Sequence, residues 1–343
     1  MGNRRIPPPC PPPTFPNPGR NTVPAHHRRD PGTQPERLAR GGAAIELTGL
    51  TKRYGPVVGV DRLTLTVRSG EVFGFLGPNG AGKTTTLRCL VGLLRPSGGT
   101  VRVLGLDPVT DHGRVAPHLG YLPGELRFYP ELSGAQTLDL LSALQGAPAP
   151  RRGSLCDRLG LTQSVLARPV GGYSRGMKQK LGLVQALQHD PRLVVLDEPT
   201  EGIDPLVQET FYALLREMAA AGRTVLLSSH VLPEVQRTCG RVAIVRDGRL
   251  VAVETVARLR EARARRIRLT FADGQAPRTL GGAERWEPRR QGNRVELLVP
   301  PSEVVAALRG LLGPEVSDVM VEEAGLDEAF LDLYRHGGPE EGP

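Results

Sequence analysis

The chain has 343 residues, 39% of them hydrophobic and 23% charged, with 44 Lys+Arg against 36 Asp+Glu. Length and composition fit two or three domains with real cores, and no stretch approaches the roughly 18–20 apolar residues of a membrane helix, so the chain by itself is not expected to span a bilayer. The net charge of +8 raises nucleic acid or an anionic membrane as partner, but the two most basic stretches for their length lie outside the long middle block and are offset by an acidic end: +5 on residues 1–42, +5 on 43–257, +7 on 258–294 and −9 on 295–343.

Nucleic acid is therefore not an expected partner. Cys10, Cys89, Cys156 and Cys239 form no C-x-x-C pair, so neither a zinc site nor a disulfide framework is indicated, and a reducing cytosol fits. The twin arginines of Met1–Cys10 precede prolines where a signal peptide places an apolar helix, which speaks against secretion. Residues 1–42 carry 11 prolines and few aliphatics. Such a segment buries too little apolar surface to offset its ordering entropy and is expected to be a disordered extension.

Ile45–Leu50 and Leu63–Val67 alternate apolar and polar residues, as half-buried strands do. Glu71–Leu76 is a compact apolar run, followed by a glycine loop and a predicted helix from Lys83 to Leu94. Leu193–Leu196 and Thr224–Ser228 are two more short apolar runs, each followed by helix-compatible sequence. This alternation predicts an α/β architecture with a mainly parallel sheet. Val242–Val245 and Leu250–Val253 flank Asp247-Gly248, a hairpin signal. The arginine-rich run Arg258–Arg268 reads as a boundary. Beyond it the pattern predicts strands at Arg268–Ala272, Arg294–Val299 and Val316–Glu322, and helices at Ser302–Leu312 and Leu326–Tyr334: a small α+β domain over about residues 262–336. The acids there suit a solvated surface or ion pairs to the preceding arginines.

Two stretches carry chemistry. Gly77, Pro78, Asn79, Gly80, Ala81, Gly82, Lys83 and Thr84 satisfy G-x-x-x-x-G-K-[ST] between an apolar strand and a helix, with Thr85 next in line. Glycines let successive N–H groups point inward as an anion nest, and the helix N-terminus adds partial positive charge. Lys83 can then reach β/γ-phosphates, and the Thr84 hydroxyl can ligate Mg²⁺. Leu193–Leu196 ends in Asp197-Glu198. Asp197 suits the metal-associated acid of phosphate-loop enzymes and Glu198 the group that polarises attacking water, although paired acids after a strand also cap helices.

With these in place, further residues resemble the ATP-binding-cassette (ABC) ATPases. Tyr173-Ser174-Arg175-Gly176-Met177-Lys178-Gln179 is similar to the family signature in its bacterial multidrug-exporter form. Glu201-Gly202-Ile203-Asp204 is similar to the D-loop, His230 to the switch histidine, and Tyr54 to the aromatic that stacks on adenine. Taken singly, Ser174 is also a helix N-cap, Tyr54 a packing residue and His230 an ordinary surface or core histidine. The ordered set covers about residues 45–258. The resemblance implies a phosphate-loop NTPase fold of the ABC type with a helical subdomain over residues 43–258, binding ATP and Mg²⁺. It also implies a head-to-tail dimer, each ATP lying between the phosphate loop of one chain and the Ser174 segment of the other. With no apolar span, the chain is expected to be the ATPase subunit of an exporter, cytoplasmic and peripheral on the inner face of the membrane, serving a separate permease.

One motif departs. After Tyr121-Leu122-Pro123, where the family commonly has glutamine at the loop linking catalysis to the membrane partner, this chain has Gly124-Glu125. Either Glu125 substitutes or the contact is lost. A ribosomal or DNA-acting ATPase fits less well, since such members usually join two cassettes or insert a long coiled coil, and about 110 residues separate the phosphate loop from Asp197. A regulator without turnover is disfavoured by Glu198 together with His230. The run Glu322–Leu331 is similar to a C-terminal element of exporter cassettes.

Overall fold

The computed structural model describes residues 42–261, 265–272, 276, 277, 280 and 282–323. The predicted helix Leu326–Tyr334, all but the start of Glu322–Leu331, and the N-terminal extension up to residue 41 lie outside the described residues.

In chain order the main body runs β1 (Ala43–Tyr54), β2 (Val57–Arg68), β3 (Val72–Leu76), α1 (Lys83–Leu90), β4 (Gly98–Val103), α2 (His112–Val115), β5 (Leu119–Leu122), α3 (Gly134–Gln145), α4 (Arg152–Arg158), α5 (Gln163–Leu166) and α6 (Arg175–Leu187). It continues through β6 (Leu193–Asp197), α7 (Pro205–Ala220), β7 (Thr224–Ser229), α8 (Leu232–Thr238), β8 (Arg241–Arg246), β9 (Arg249–Thr255) and α9 (Val256–Glu261). After these come β10 (Arg265–Phe271), β11 (Arg289–Gln291), β12 (Arg294–Val299), α10 (Val304–Leu311) and β13 (Val316–Glu323).

The central sheet has strand order β5-β6-β7-β3-β8-β9. Its first five strands are parallel, and β9 returns antiparallel to β8. Asp247 and Gly248 close that hairpin with φ of 49° and 78°, the left-handed pair a two-residue turn needs. Every residue of β3, β6 and β7 is buried, as in a parallel sheet covered on both faces. Alternation sorts the side chains. Phe73, Phe75, Leu193 and Val195 join a core with β1, β2, β4 and α1. Val72, Leu76, Val194 and Leu196 join a second core with α3, α4, α6 and α7. Gly74 admits the α8 face, since a β-carbon there would lie 2.6 Å from Val235 Cγ1.

Two expectations change. β1 and β2, longer than the alternating segments suggested, pair with β4 in a separate antiparallel sheet of order β2-β1-β4. α1 stops at Leu90 and does not reach Leu94: Gly92 (φ 75°) takes the left-handed position after the helix. The Gly92 and Leu93 N–H groups then bond back to the Cys89 and Arg88 carbonyls, a Schellman stop.

The C-terminal sheet, order β11-β12-β10-β13, is antiparallel throughout and has its own core of Ile267, Leu269, Phe271, Val295, Leu297 and Val299 under Ala307 and Leu311 of α10. Charge is balanced within it. Arg266 lies 3.3 Å from Glu296 and 3.4 Å from Glu322. Arg268 lies 3.0 Å from each of the same two acids. Part of the arginine excess is thus answered by acids of the −9 segment, on adjacent strands.

Candidate active site

In an open parallel sheet the carboxyl ends of neighbouring strands form the natural crevice for a ligand. β6, β7 and β3 are neighbours, with Asp197 level with Ser228 and Leu76 level with Ser229. The glycine loop, the acidic pair and the His230 turn therefore emerge side by side, although far apart in sequence.

The loop from Gly77 leads into α1. Its N-cap is Gly82, at φ 92°, and no side chain caps the first turn. A β-carbon on Gly82 would lie 2.5 Å from the Gly59 carbonyl, so both backbone angle and space require glycine there. Lys83 is 6% exposed. Its Nζ donates to the carbonyls of Gly77 (2.7 Å) and Pro78 (3.2 Å) and lies 3.2 Å from Glu198 Oε1. Glu198 Oε2 meets His230 Nδ1 at 2.9 Å, which assigns the imidazole proton to Nδ1 because an ionised carboxylate only accepts. Glu198 sits at a φ of 48°, uncommon for a non-glycine and of a kind that clusters at functional sites.

Asp197 points the other way. Its Oδ2 accepts from Thr84 Oγ1 at 2.7 Å and its Oδ1 from Ser228 Oγ at 2.6 Å. Ser228 Oγ in turn accepts the Glu198 N–H at 3.1 Å. A hydroxyl and a carboxylate oxygen side by side are the hard donors that suit Mg²⁺, so the residues present fit the ion. The cavity, about 220 Å³, is lined by Gly59, Pro78, Asn79, Gly80, Gly82, Lys83, Thr84, Thr85 and Glu198. Tyr54, at the end of β1, stands at its edge. A β-carbon on Gly59 would touch both Tyr54 Cε2 (3.1 Å) and Thr85 Cγ2 (3.5 Å). The Tyr54 ring is 46% exposed, with Lys52 Nζ 5.4 Å from its centroid. Ala81 is buried beneath the loop.

The remaining candidates are adjacent but distinct. Ser174 caps α6 through the Met177 N–H (3.3 Å). Gly176 packs so closely on the next loop that a β-carbon would lie 2.7 Å from the Gly202 carbonyl. Asp204 caps α7 through the Val207 N–H (3.0 Å) and lies 3.6 Å from Lys180 Nζ. The capping bond, then Lys180, hold its carboxyl below the usual range. Arg175 pairs with Glu201. Within this chain Ser174, Gly176 and Asp204 do not line the phosphate cavity.

Gly124 lies against the acid: a β-carbon there would be 3.2 Å from Asp197 Oδ2. Glu125 turns outward to Arg127 at 3.0 Å, with 71% of its side chain exposed, and so does not substitute at Asp197. Tyr121, on the same strand end, has its phenol pushed up by burial and then by the charge of Asp197.

Sequence reasoning missed Ser228 and gave Gln179, the last residue of the signature-like stretch, no role of its own. Gln179, buried, donates to the carbonyls of Pro199 (2.9 Å) and Glu198 (3.4 Å). Ser228 ends an apolar run, and polar residues at a strand end beside the Asp197-Glu198 pair were the available signal.

A family model described as "ABC transporter" matches residues 60–201. The chain is 33% identical over 293 residues to the "Uncharacterized ABC transporter ATP-binding protein YhcH" of Bacillus subtilis, a match covering 84% of this chain and 95% of that protein. It is 34% identical over 319 residues to the "Daunorubicin/doxorubicin resistance ATP-binding protein DrrA" of Streptomyces peucetius, covering 89% and 94%. Among solved structures it is similar to an ATP-binding subunit of an ABC transporter, with 29% identity, a TM-score of 0.59, and 63% of this chain and 92% of that chain covered. In fold it also matches the dimeric post-hydrolysis cassette MJ0796 bound to ADP and Pi, with 21% identity, a TM-score of 0.57, and 62% and 98% covered.

Proposed function

The chain belongs to the ABC transporter family as an ATP-binding, ATP-hydrolysing subunit that works with a separate membrane permease, and on that premise we propose the residues that bind ATP, the route of hydrolysis and the direction of transport. The reading is an exporter of the multidrug type, held at the cytoplasmic face of the membrane, with a second ATP-binding subunit completing each site. DrrA, similar over nearly its whole length and described as a drug-resistance protein, supports the direction.

The observation that carries the chemistry is the convergence of Lys83, Thr84 and Glu198 on one cavity at the ends of β3, β6 and β7, with Asp197 bonded to Thr84 and His230 to Glu198. Backbone N–H groups from Asn79 to Thr85 and the uncapped start of α1 cradle the phosphates. Lys83 pairs with the β/γ-oxygens, Thr84 and Asp197 hold Mg²⁺, and Tyr54 covers the adenine. Bound there, Mg²⁺ neutralises charge that develops on the phosphates. Glu198 orients the attacking water and takes its proton, while His230 keeps the carboxylate in place from the opposite side to Lys83. The Ser174–Gly176 turn and Asp204 of the second subunit close over the nucleotide.

The Tyr121–Glu125 loop borders an apolar cleft of about 360 Å³ lined by Val91, Leu93, Tyr121, Leu126, Phe128 and Leu141 among others. Leu93 in its lining is 61% exposed, an apolar opening that suits a permease segment.

Glu198→Gln tests the assignment. Turnover should fall by at least about 10²-fold, the usual share of a general base, with ATP still bound, whereas Lys83→Ala should lose binding itself. Undiminished hydrolysis by either purified variant overturns the scheme.

A further inference from the structure

Glu234 lies in the first turn of α8 and has no part in the scheme above. Its carboxylate takes a hydroxyl on each oxygen: Oε1 accepts from Thr200 Oγ1 at 2.7 Å and Oε2 from Ser229 Oγ at 2.6 Å. Thr200 is 4% exposed and Ser229 fully buried. Both bonds are charge-assisted and shielded from water, the setting in which they are strongest. The phenol of Tyr212, packed nearby, is pushed up to about 12 by burial and then by the charge of Glu234.

The two hydroxyls belong to different elements, Thr200 to the loop after β6 and Ser229 to the last position of β7. Thr200 stands two residues after Glu198, and its carbonyl accepts the Ile203 N–H (3.2 Å) and Gln208 Nε2 (3.5 Å), rooting the turn that carries Asp204. Ser229 immediately precedes His230, and its Oγ also accepts the Val231 N–H at 2.9 Å. One carboxylate thus joins the loop after β6, which carries Glu198, to the last residue of β7, next to His230, and Glu198 and His230 are the two partners of the 2.9 Å contact.

We propose that Glu234 is a positioning residue for hydrolysis, clamping the Glu198 loop and the His230 loop at the separation the reaction uses. The inference rests on the ATPase reading above. Glu234 touches neither the phosphate cavity nor Asp197. Its loss therefore leaves nucleotide binding intact and displaces the groups around the attacking water, where about 1 Å of misplacement is worth up to about 10²-fold in rate.

The test is steady-state hydrolysis and ATP affinity on the full chain. Glu234→Ala should lower kcat by about tenfold or more while the ATP dissociation constant stays within about twofold. Glu234→Gln should restore most of the rate, because the carboxamide still offers one hydroxyl an acceptor and the other a donor. Thr200→Val and Ser229→Ala should each lower kcat, and adding Glu234→Ala to the pair should cost little more, since all three act through one clamp. A Glu234→Ala kcat within about twofold of the parent, an undiminished effect of Glu234→Ala on the Thr200→Val/Ser229→Ala background, or no rescue by glutamine each overturns the proposal. If Glu234→Ala does not fold, the two hydroxyl variants decide: unchanged kcat in both is a refutation. Hydrolysis that survives Glu198→Gln instead overturns the ATPase assignment of the site, whatever Glu234 does.

Discussion

Ser228→Ala is a small change at a fully buried position and a sharp test of how Asp197 is held. The serine Oγ donates to Asp197 Oδ1 at 2.6 Å and accepts the Glu198 N–H at 3.1 Å. Alanine leaves a buried carboxylate oxygen with one partner fewer and a backbone N–H without its hydroxyl. A hydrogen bond to a charged group is worth about 1.5–3 kcal/mol, and an orphaned buried donor costs about 1–3 kcal/mol. The two losses share one atom, so a total of about 3 kcal/mol is expected. For a unit of about 150–250 residues this lowers the unfolding midpoint by roughly 6–12 °C. Thermal unfolding followed by circular dichroism without nucleotide reads the stability. A titration of ATPase rate against Mg²⁺ reads the site, where the half-saturating concentration should rise because Asp197 is free to turn from Thr84. A midpoint shift below about 2 °C, with an unchanged Mg²⁺ titration, would show that Asp197 does not depend on this hydroxyl.

Two further substitutions separate packing from binding. Gly74→Ala puts a methyl 2.6 Å from Val235 Cγ1 and 3.1 Å from Val242 Cγ2, both on fully buried side chains. Overpacking of that kind costs about 1–3 kcal/mol and should appear as a lower urea midpoint at unchanged slope; an unchanged midpoint refutes the packing of α8 on β3. Tyr54→Ala, at a half-exposed ring, should leave the urea midpoint unchanged yet weaken ATP binding by about 5- to 150-fold, the worth of about 1–3 kcal/mol of base stacking. Tyr54→Phe should bind like the parent in a fluorescence titration, and equal binding by the alanine variant removes Tyr54 from the site.

The phosphate loop and the Asp197-Glu198 pair were legible in the sequence because each motif is local, a run of a few residues whose spacing is the chemistry; His230, an ordinary histidine taken singly, was read through the family resemblance. What they do to one another was not. The 3.2 Å contact of Lys83 with Glu198 and the 2.9 Å contact of Glu198 with His230 depend on β6, β7 and β3 being neighbours, a fact of sheet order that no local pattern carries. Ser228 and Glu234 escaped for the same reason, since their partners come from other strand ends. In the fold, β3, β6 and β7 stood out as short apolar runs. β4 did not, because Gly98-Gly99-Thr100 opens it and glycine weakens a strand signal. α1 was read too long because the apolar residues past Gly92 kept the helical period while the glycine broke the helix. Gly124 was visible as a departure, but only the outward pairing of Glu125 with Arg127 answers whether its neighbour compensates.

The salt contact between Lys83 and Glu198 also bears on how the usual diagnostic variant is to be interpreted. A lysine 6% exposed needs a counter-ion, and the Glu198 carboxylate supplies one at 3.2 Å. Triphosphate and Glu198 are therefore rivals for one ammonium group. Neutralising Glu198 removes the rival together with the base, so the glutamine variant should hold ATP more tightly even in a monomer that hydrolyses nothing. Tight retention of ATP by that variant is in part a statement about the Lys83–Glu198 ion pair, and only the rate of phosphate release reports on the chemistry.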